Sequence, residues 1–214
     1  MRVLVTGHNG YIGTVLVPML LERGHDVVGL DTNYFAGCLF TGKVPEVHTL
    51  EKDIRDVEAE DVAGLDAIIH LAGLSNDPLG DYRPQLTADI NETAALRLAQ
   101  LAKAAGVRRF LFASSCSNYG AGGADFLDEH AAFNPVTPYG VSKVMVEAAL
   151  SQMADADFSP TYLRASTAYG LSPLIRFDLV INNLTAWALT TGLVYLKSDG
   201  SPWRPVVHVA DIAL

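Results

Sequence analysis

Apolar residues along the chain fall in short blocks that alternate with stretches of helical periodicity. The run RVLVT (residues 2–6) is short and rich in strand formers, whereas Tyr11 to Arg23 repeats its apolar positions at helical steps. The alternation continues with HDVVGLD as a strand and LDAIIHLAG as a strand ending at Gly73. It goes on with Pro84 to Ala105 as one long helix stopped by Gly106, RRFLFASS as a strand, Tyr139 to Met153 as a helix and PTYLRAS as a strand. Near-continuous apolar strands separated by helices predict a parallel sheet covered on both faces, an α/β doubly wound fold. After Ser166 the pattern loosens: GLSPLIRFD reads as loop, Leu179 to Thr191 as helix, and GLVYLKSDGSPWRPVVHVADIAL as short strands and turns. The expected division is a main domain at residues 1–166 and a small partial lobe at 167–214.

Composition narrows the possibilities. A chain of 214 residues, half of them apolar, supports one well-packed core and is too short for two large domains. The formal net charge of −9 argues against a nucleic-acid surface, which needs clustered Lys and Arg. Cys38 and Cys116 stand far apart with no Cys-x-x-Cys spacing, so neither a disulfide framework nor a metal site is expected. No leader or membrane-spanning run is evident, and the expectation is a soluble cytoplasmic protein with no membrane partner.

Three constellations carry chemistry. In GHNGYIG the glycines Gly7, Gly10 and Gly13 follow a strand and open a helix. A helix N-terminus offers unpaired N–H groups and partial positive charge to a phosphate, and side chains at Gly7 or Gly10 would hold a pyrophosphate away from the backbone. Gly13 permits close packing of helix and sheet, and Asp31, ending the second strand, is placed to accept hydrogen bonds from ribose hydroxyls. Asp31 would repel a 2′-phosphate and no arginine follows it closely, which favours NAD over NADP. In TPYGVSK, Tyr139 and Lys143 share a helix face, and a nearby ammonium favours the phenolate of a tyrosine whose free pKa is about 10. Ser114 and Ser115 end a strand at the carboxyl edge, where open α/β sheets bind ligands.

With these residues in place, the chain resembles the extended short-chain dehydrogenases/reductases, in the NAD-dependent epimerase/dehydratase family that acts on nucleotide sugars. The matching stretches are VTGHNGYIG, GLD, EKDIRD, HLAG, INETAA, FASSCSNYG, YGVSK, YLRASTAYG, INNL and WRPVVHVADIA, in the family's order from end to end. The resemblance implies a Rossmann-type sheet and an NAD site that includes Gly7, Gly10, Tyr11, Ile12, Gly13 and Asp31. Asp53 and Ile54 match the adenine-contacting pair, Leu71, Ala72 and Gly73 the groove lining, and Asn91 an asparagine that supports the active site. It makes Tyr139 the acid/base, Lys143 the residue that binds the nicotinamide ribose and lowers the tyrosine pKa, and Ser115 the partner of the reacting sugar hydroxyl. Thr167, Asn183, Leu184 and Arg204 match substrate positions, the last three being those that grip the nucleotide diphosphate. It also implies a homodimer through the Pro84–Ala105 and Tyr139–Met153 helices, with Ala94, Ala95, Leu98, Leu101, Met145 and Leu150 as apolar material.

Departures from the family pattern sharpen the expected chemistry. Thr167 replaces the usual asparagine of the R-Y-F-N stretch, and Pro205 the usual aspartate after the diphosphate arginine. Relatives continue past the H-V-x-D-I stretch, so the substrate lobe is expected to be truncated. Cys116 and Ser117 occupy the places where 4,6-dehydratases carry Asp-Glu and decarboxylases need a glutamate. Redox-neutral epimerisation at the sugar C4 through a transient 4-keto sugar is therefore the expected reaction. NAD-dependent reduction or oxidation of a keto-sugar or other alcohol, and a non-catalytic dinucleotide sensor, remain as alternatives. Cys116 is read either as a carbon acid/base or as a small buried thiol.

Overall fold

The computed structural model describes residues 1–75, 77–120, 126–196, 198–201 and 203–214, with the side chains of residues 77–79 outside the description. The strands are β1 (Arg2–Thr6), β2 (Asp26–Asp31), β3 (His48–Glu51), β4 (Ala67–His70), β5 (Arg109–Ser115), β6 (Ser159–Ala165), β7 (Thr167–Tyr169) and β8 (Val206–His208). The helices are α1 (Gly13–Glu22), α2 (Asp77–Tyr82), α3 (Pro84–Ala88), α4 (Ala94–Ala104), α5 (Pro138–Met153), α6 (Val180–Thr191) and α7 (Val209–Ala213).

Six strands form one sheet in the order β3-β2-β1-β4-β5-β6, every pair parallel. This is the Rossmann order, with the topological switch between β1 and β4. Successive side chains of β1 point to opposite faces. Leu4 enters one core with Ile68, Leu98, Phe110, Phe112, Val146 and Leu150, and Val3 and Val5 enter a second with Leu16, Val17 and Ala213. The first core lies under α4 and α5, the second under α1 and α7. A separate parallel pair, β7-β8, registers Thr167 with Val206 and Tyr169 with His208.

Local chemistry accounts for the element ends that matter. Thr137 caps α5 by accepting from the Gly140 N–H at 3.1 Å, and Pro138 supplies the first helical residue with its φ already set. Gly106, at φ +80°, stops α4.

Four expectations are corrected. The helix expected as one piece over Pro84–Ala105 is two α-helices joined by a π-helical turn at Asp89–Thr93, which inserts an extra residue and turns Asn91 into the interior. The edge strand β3 was not expected, because its half-polar sequence HTLE carries no apolar run. The tail read as strands and turns contains α7, whose Ala213 is buried against β1 and α1. Of the apolar residues assigned to a dimer face, Ala94, Ala95, Leu98 and Leu150 are instead buried in the chain's own core; Met145 is exposed and Leu101 half-buried. Among the described residues no helix is long and apolar enough to cross a membrane.

Candidate active site

The glycine loop is held in a tight arch after β1. Gly7, at φ +72°, donates its N–H to the Leu30 carbonyl at 2.8 Å and accepts from the Gly10 N–H at 3.0 Å. A Cβ at Gly7 would lie 2.9 Å from the Ala72 nitrogen, and one at Gly13 would fall within 2.6 Å of the Gly7 oxygen and the His8 carbonyl. The first turn of α1 is therefore seated directly on the loop backbone. Among the described residues the N–H groups of Tyr11, Ile12 and Gly13 have no hydrogen-bond acceptor, which leaves donors free at the helix start. Asp31 closes the arch: one carboxylate oxygen accepts from the Asn9 N–H and the other from the Asn33 N–H, each at 3.1 Å. Asn33 holds the left-handed conformation that this contact needs, at φ +55°, and its side chain accepts from the Asn9 amide at 2.7 Å. Beside Asp31 opens a cleft of about 380 Å³ lined by Gly10, Asn33, Phe35, Leu39, Thr49 and Leu174, among others.

The other expected cofactor residues frame the same edge. Leu71 and Ala72 hang from Thr6, the Leu71 N–H bonding its carbonyl at 3.1 Å and the Ala72 N–H its hydroxyl at 3.2 Å. Asn91, fully buried, accepts from the Leu74 N–H at 2.7 Å and donates to the Leu74 carbonyl at 2.8 Å. Its oxygen would lie 2.9 Å from a Cβ at Gly73, so it fixes the backbone of that loop. Asp53 caps the 3-10 turn Ile54–Asp56, and the Arg55 side chain holds its carboxyl below the usual carboxylate range. The Ile54 side chain is in the core.

The catalytic candidates come from β5 and α5. The Lys143 ammonium is buried, 4.5 Å from the centroid of Phe112 and 5.4 Å from that of Tyr139. Burial lowers its pKa to about 8, against an opposing pull from Glu147. His70, at the end of β4, stacks on Phe112 and shares a 2.6 Å hydrogen bond with the Thr6 hydroxyl. Burial, aided by the Lys143 charge, takes its pKa down to about 3, so His70 is neutral. Ser114 and Ser115 point to opposite faces of the strand. Ser114 donates to Glu147 at 2.5 Å and accepts from Asn118 at 3.1 Å, whereas Ser115 caps the turn Cys116–Tyr119 by accepting from the Ser117 N–H at 3.1 Å. A Cβ at Gly140 would lie 2.9 Å from the Ser117 carbonyl, so the start of α5, which carries Tyr139, packs directly on that turn.

Substrate candidates divide into two groups. Thr167 donates its N–H to the Pro205 carbonyl at 3.1 Å, which brings the base of β7 beside Arg204. The half-buried Cys116 thiol has its pKa pushed up by burial, with the Arg204 charge and contacts from Ser115 and the Thr167 backbone acting in the opposite direction. Ser115, Cys116, Thr167 and Arg204 thus lie near one another. Asn183 and Leu184, on α6, are half-buried. Asn183 donates to the Phe177 carbonyl at 2.8 Å, and among the described residues no hydrogen bond or ion pair joins it to Arg204.

Sequence reading missed a buried network behind the serine strand. Glu147, one helical turn beyond Lys143, accepts from Ser114, from Asn118 at 2.9 Å and from both arms of Arg164. The Lys143-to-Glu147 spacing and the arginine in YLRAS were the available signals. It also missed Asn182, the buried neighbour of Asn183.

A profile of the NAD dependent epimerase/dehydratase family matches residues 3–214, and the chain belongs to that family. It is similar to the UDP-glucose 4-epimerase of Mycolicibacterium smegmatis, 31% identical over 227 positions that cover 99% of this chain and 71% of that protein. Among solved structures, it resembles MoeE5 in complex with UDP-glucose and NAD, at 31% identity and a TM-score of 0.85, covering all of this chain and 69% of MoeE5. It also resembles the NAD dependent NDP-hexosamine 5,6-dehydratase TunA, at 27% identity and a TM-score of 0.88, covering 99% of this chain and 69% of TunA. NAD is the cofactor of the family and of this chain. The residues present fit it: a loop in which side chains at Gly7 and Gly13 would strike backbone, free N–H donors at the start of α1, and a carboxylate fixed at the end of β2.

Proposed function

We propose that the chain is an NAD-dependent nucleotide-sugar epimerase that acts at the sugar C4. The observation that carries this reading is the packing of the Tyr139–Lys143 helix start on the Ser115–Ser117 turn, in a setting with no carboxylate on the turn itself. Bound NAD supplies a hydride acceptor and donor. The buried Lys143 ammonium favours the Tyr139 phenolate, which takes the proton of the C4 hydroxyl and later returns it. The Ser115 hydroxyl donates to the same sugar oxygen and holds it for the transfer. Elimination of water would need an acid and a base beside the sugar. Cys116 and Ser117 stand where dehydratases of the family carry theirs, and the nearby Glu147 is committed to Arg164. Residues 167–214 supply the substrate side, with Arg204, beside Thr167, pairing with the diphosphate and Asn183 and Leu184 contributing from α6.

The test is incubation with NAD and a panel of UDP-, dTDP-, GDP- and CDP-hexoses, followed by NMR. A C4 epimer is expected, and Tyr139→Phe should abolish it. Release of a 4-keto-6-deoxy product, or net consumption of NAD, would replace this reading with dehydratase or dehydrogenase chemistry.

A further inference from the structure

Residues Gly170–Asn183 pass three of the loops that frame the cofactor groove and bond to each. The tie to the glycine loop is the most extensive. The Tyr11 hydroxyl donates to the Gly170 carbonyl at 2.8 Å and accepts from the Asn182 amide at 3.3 Å. Ser172, fully buried, donates to the Tyr11 carbonyl at 2.7 Å and lies 2.8 Å from the Thr14 hydroxyl. Asn182 spends its remaining capacity within the segment, accepting from the Gly170 N–H at 2.9 Å and donating to the Arg176 carbonyl at 3.0 Å. On the β2–β3 side the Phe40 N–H donates to the Pro173 carbonyl at 2.7 Å. After β4, Arg176 donates to the Ser75 hydroxyl at 2.5 Å.

The tyrosine side chain is therefore spent on the segment that leads into α6, and its own N–H is one of the free donors at the phosphate end of the groove. A single residue faces cofactor with its backbone and the substrate-side segment with its hydroxyl. The groups that complete its contacts, Gly170 and Asn182, lie 159 and 171 residues along the chain, so these bonds form only when the two parts of the chain are docked.

We propose that Tyr11 and Asn182 are positioning residues that set the Gly170–Asn183 segment, and with it the nucleotide side of the substrate site, according to whether the glycine loop holds NAD. The inference rests on the nucleotide-sugar reading above. Free energy of ordering is shared between the two sites, so each ligand tightens the other by the same factor. NAD seated on the arch stiffens the loop and the segment bonded to it, and the nucleotide then meets Asn183 already in place.

The first test uses NAD alone. In wild type, NAD should slow amide hydrogen exchange across 170–183 as well as in the glycine loop. In Tyr11→Phe, which keeps the ring and the backbone donors, NAD should still protect the loop and should leave 170–183 unchanged. The second test is calorimetry with UDP as probe. Saturating NAD should tighten UDP binding by about 10-fold in wild type, within the ordinary range of coupling, and by less than about 2-fold in Tyr11→Phe and Asn182→Ala. Ser172→Ala, which leaves the tyrosine in place, should reduce the coupling in the same direction and serves if Tyr11→Phe does not fold. Protection confined to the glycine loop in wild type, or coupling undiminished in the variants, overturns the inference. Coupled exchange without any UDP binding would uphold the inference for the segment and overturn the nucleotide-sugar reading.

Discussion

Glu147 and Arg164 form a forked ion pair inside the protein, Nη2 to Oε2 at 2.6 Å, with the carboxylate side chain only 4% exposed. The same carboxylate takes Ser114 and Asn118, so the strand that ends in Ser115 and the helix that carries Tyr139 and Lys143 are held by one group. Removing one partner leaves a buried charge without its counter-ion. Arg164→Ala or Glu147→Ala should each cost about 3–5 kcal/mol in urea unfolding, and replacing the pair together by Met and Leu should cost clearly less than the sum. Additive losses would mean that the pair does not act as a unit.

Gly13→Ala places a methyl group within 2.6 Å of the Gly7 and His8 carbonyls. The start of α1 must then move away from the loop, and NAD binding measured by calorimetry should be lost. Gly37→Ala, where a Cβ meets nothing within 4 Å, should change stability by less than about 0.5 kcal/mol and leave NAD binding intact.

Asp31 holds the Asn9 and Asn33 amides, and we propose that it also meets the ribose of NAD. Asp31→Ala should weaken NAD by about 10- to 100-fold, the loss of charge-assisted hydrogen bonds, and weaken NADP much less. Tighter binding of NADP than NAD by the wild type would overturn the cofactor assignment made from this residue.

His70 gives stability a defined pH dependence. It is neutral in the folded protein down to a pKa of about 3, whereas the unfolded chain protonates it near the ordinary 6.5. The unfolded state therefore binds more protons between those values. The contribution is fully present above pH 6.5 and is lost as pH falls, at no more than about 1.4 kcal/mol per unit. His70→Asn, which does not titrate, should flatten the slope of unfolding free energy between pH 4 and 6.5 relative to wild type.

A homodimer remains a proposal, with Met145 kept from the first assignment and Val141 added. Val141 and Met145 are exposed on α5, while the alanines and leucines of α4 first assigned to the interface cover the sheet. Light scattering at micromolar concentration should return twice the chain mass, and Met145→Glu should return it to the monomer value.

The parts of the fold legible in the sequence were those with strong local periodicity: β1, β2, β4, β5 and β6 as apolar runs, α1 and α5 as helices with capping or glycine signals. The π-helical turn was not, because its residues keep helical spacing and only the hydrogen-bond ladder shifts. Candidate site residues followed the same rule. Gly7, Gly13 and Asp31 announce themselves by position next to a strand end. Asn182 and Asn183 are adjacent and chemically identical, and only packing distinguishes the one buried against Tyr11 from the one turned to Phe177. Glu147 is visible as a helical neighbour of Lys143, but its partner Arg164 lies 17 residues away on a strand.

The helix α7 touches α1, and Ala213 is buried beside Val3, Val5, Leu16 and Val17. The layer that contains α1 therefore includes residues made some 200 positions later. A nascent chain released before residue 209 would carry an open apolar seam along its cofactor helix, and chaperone dependence should drop sharply once Ala213 has emerged.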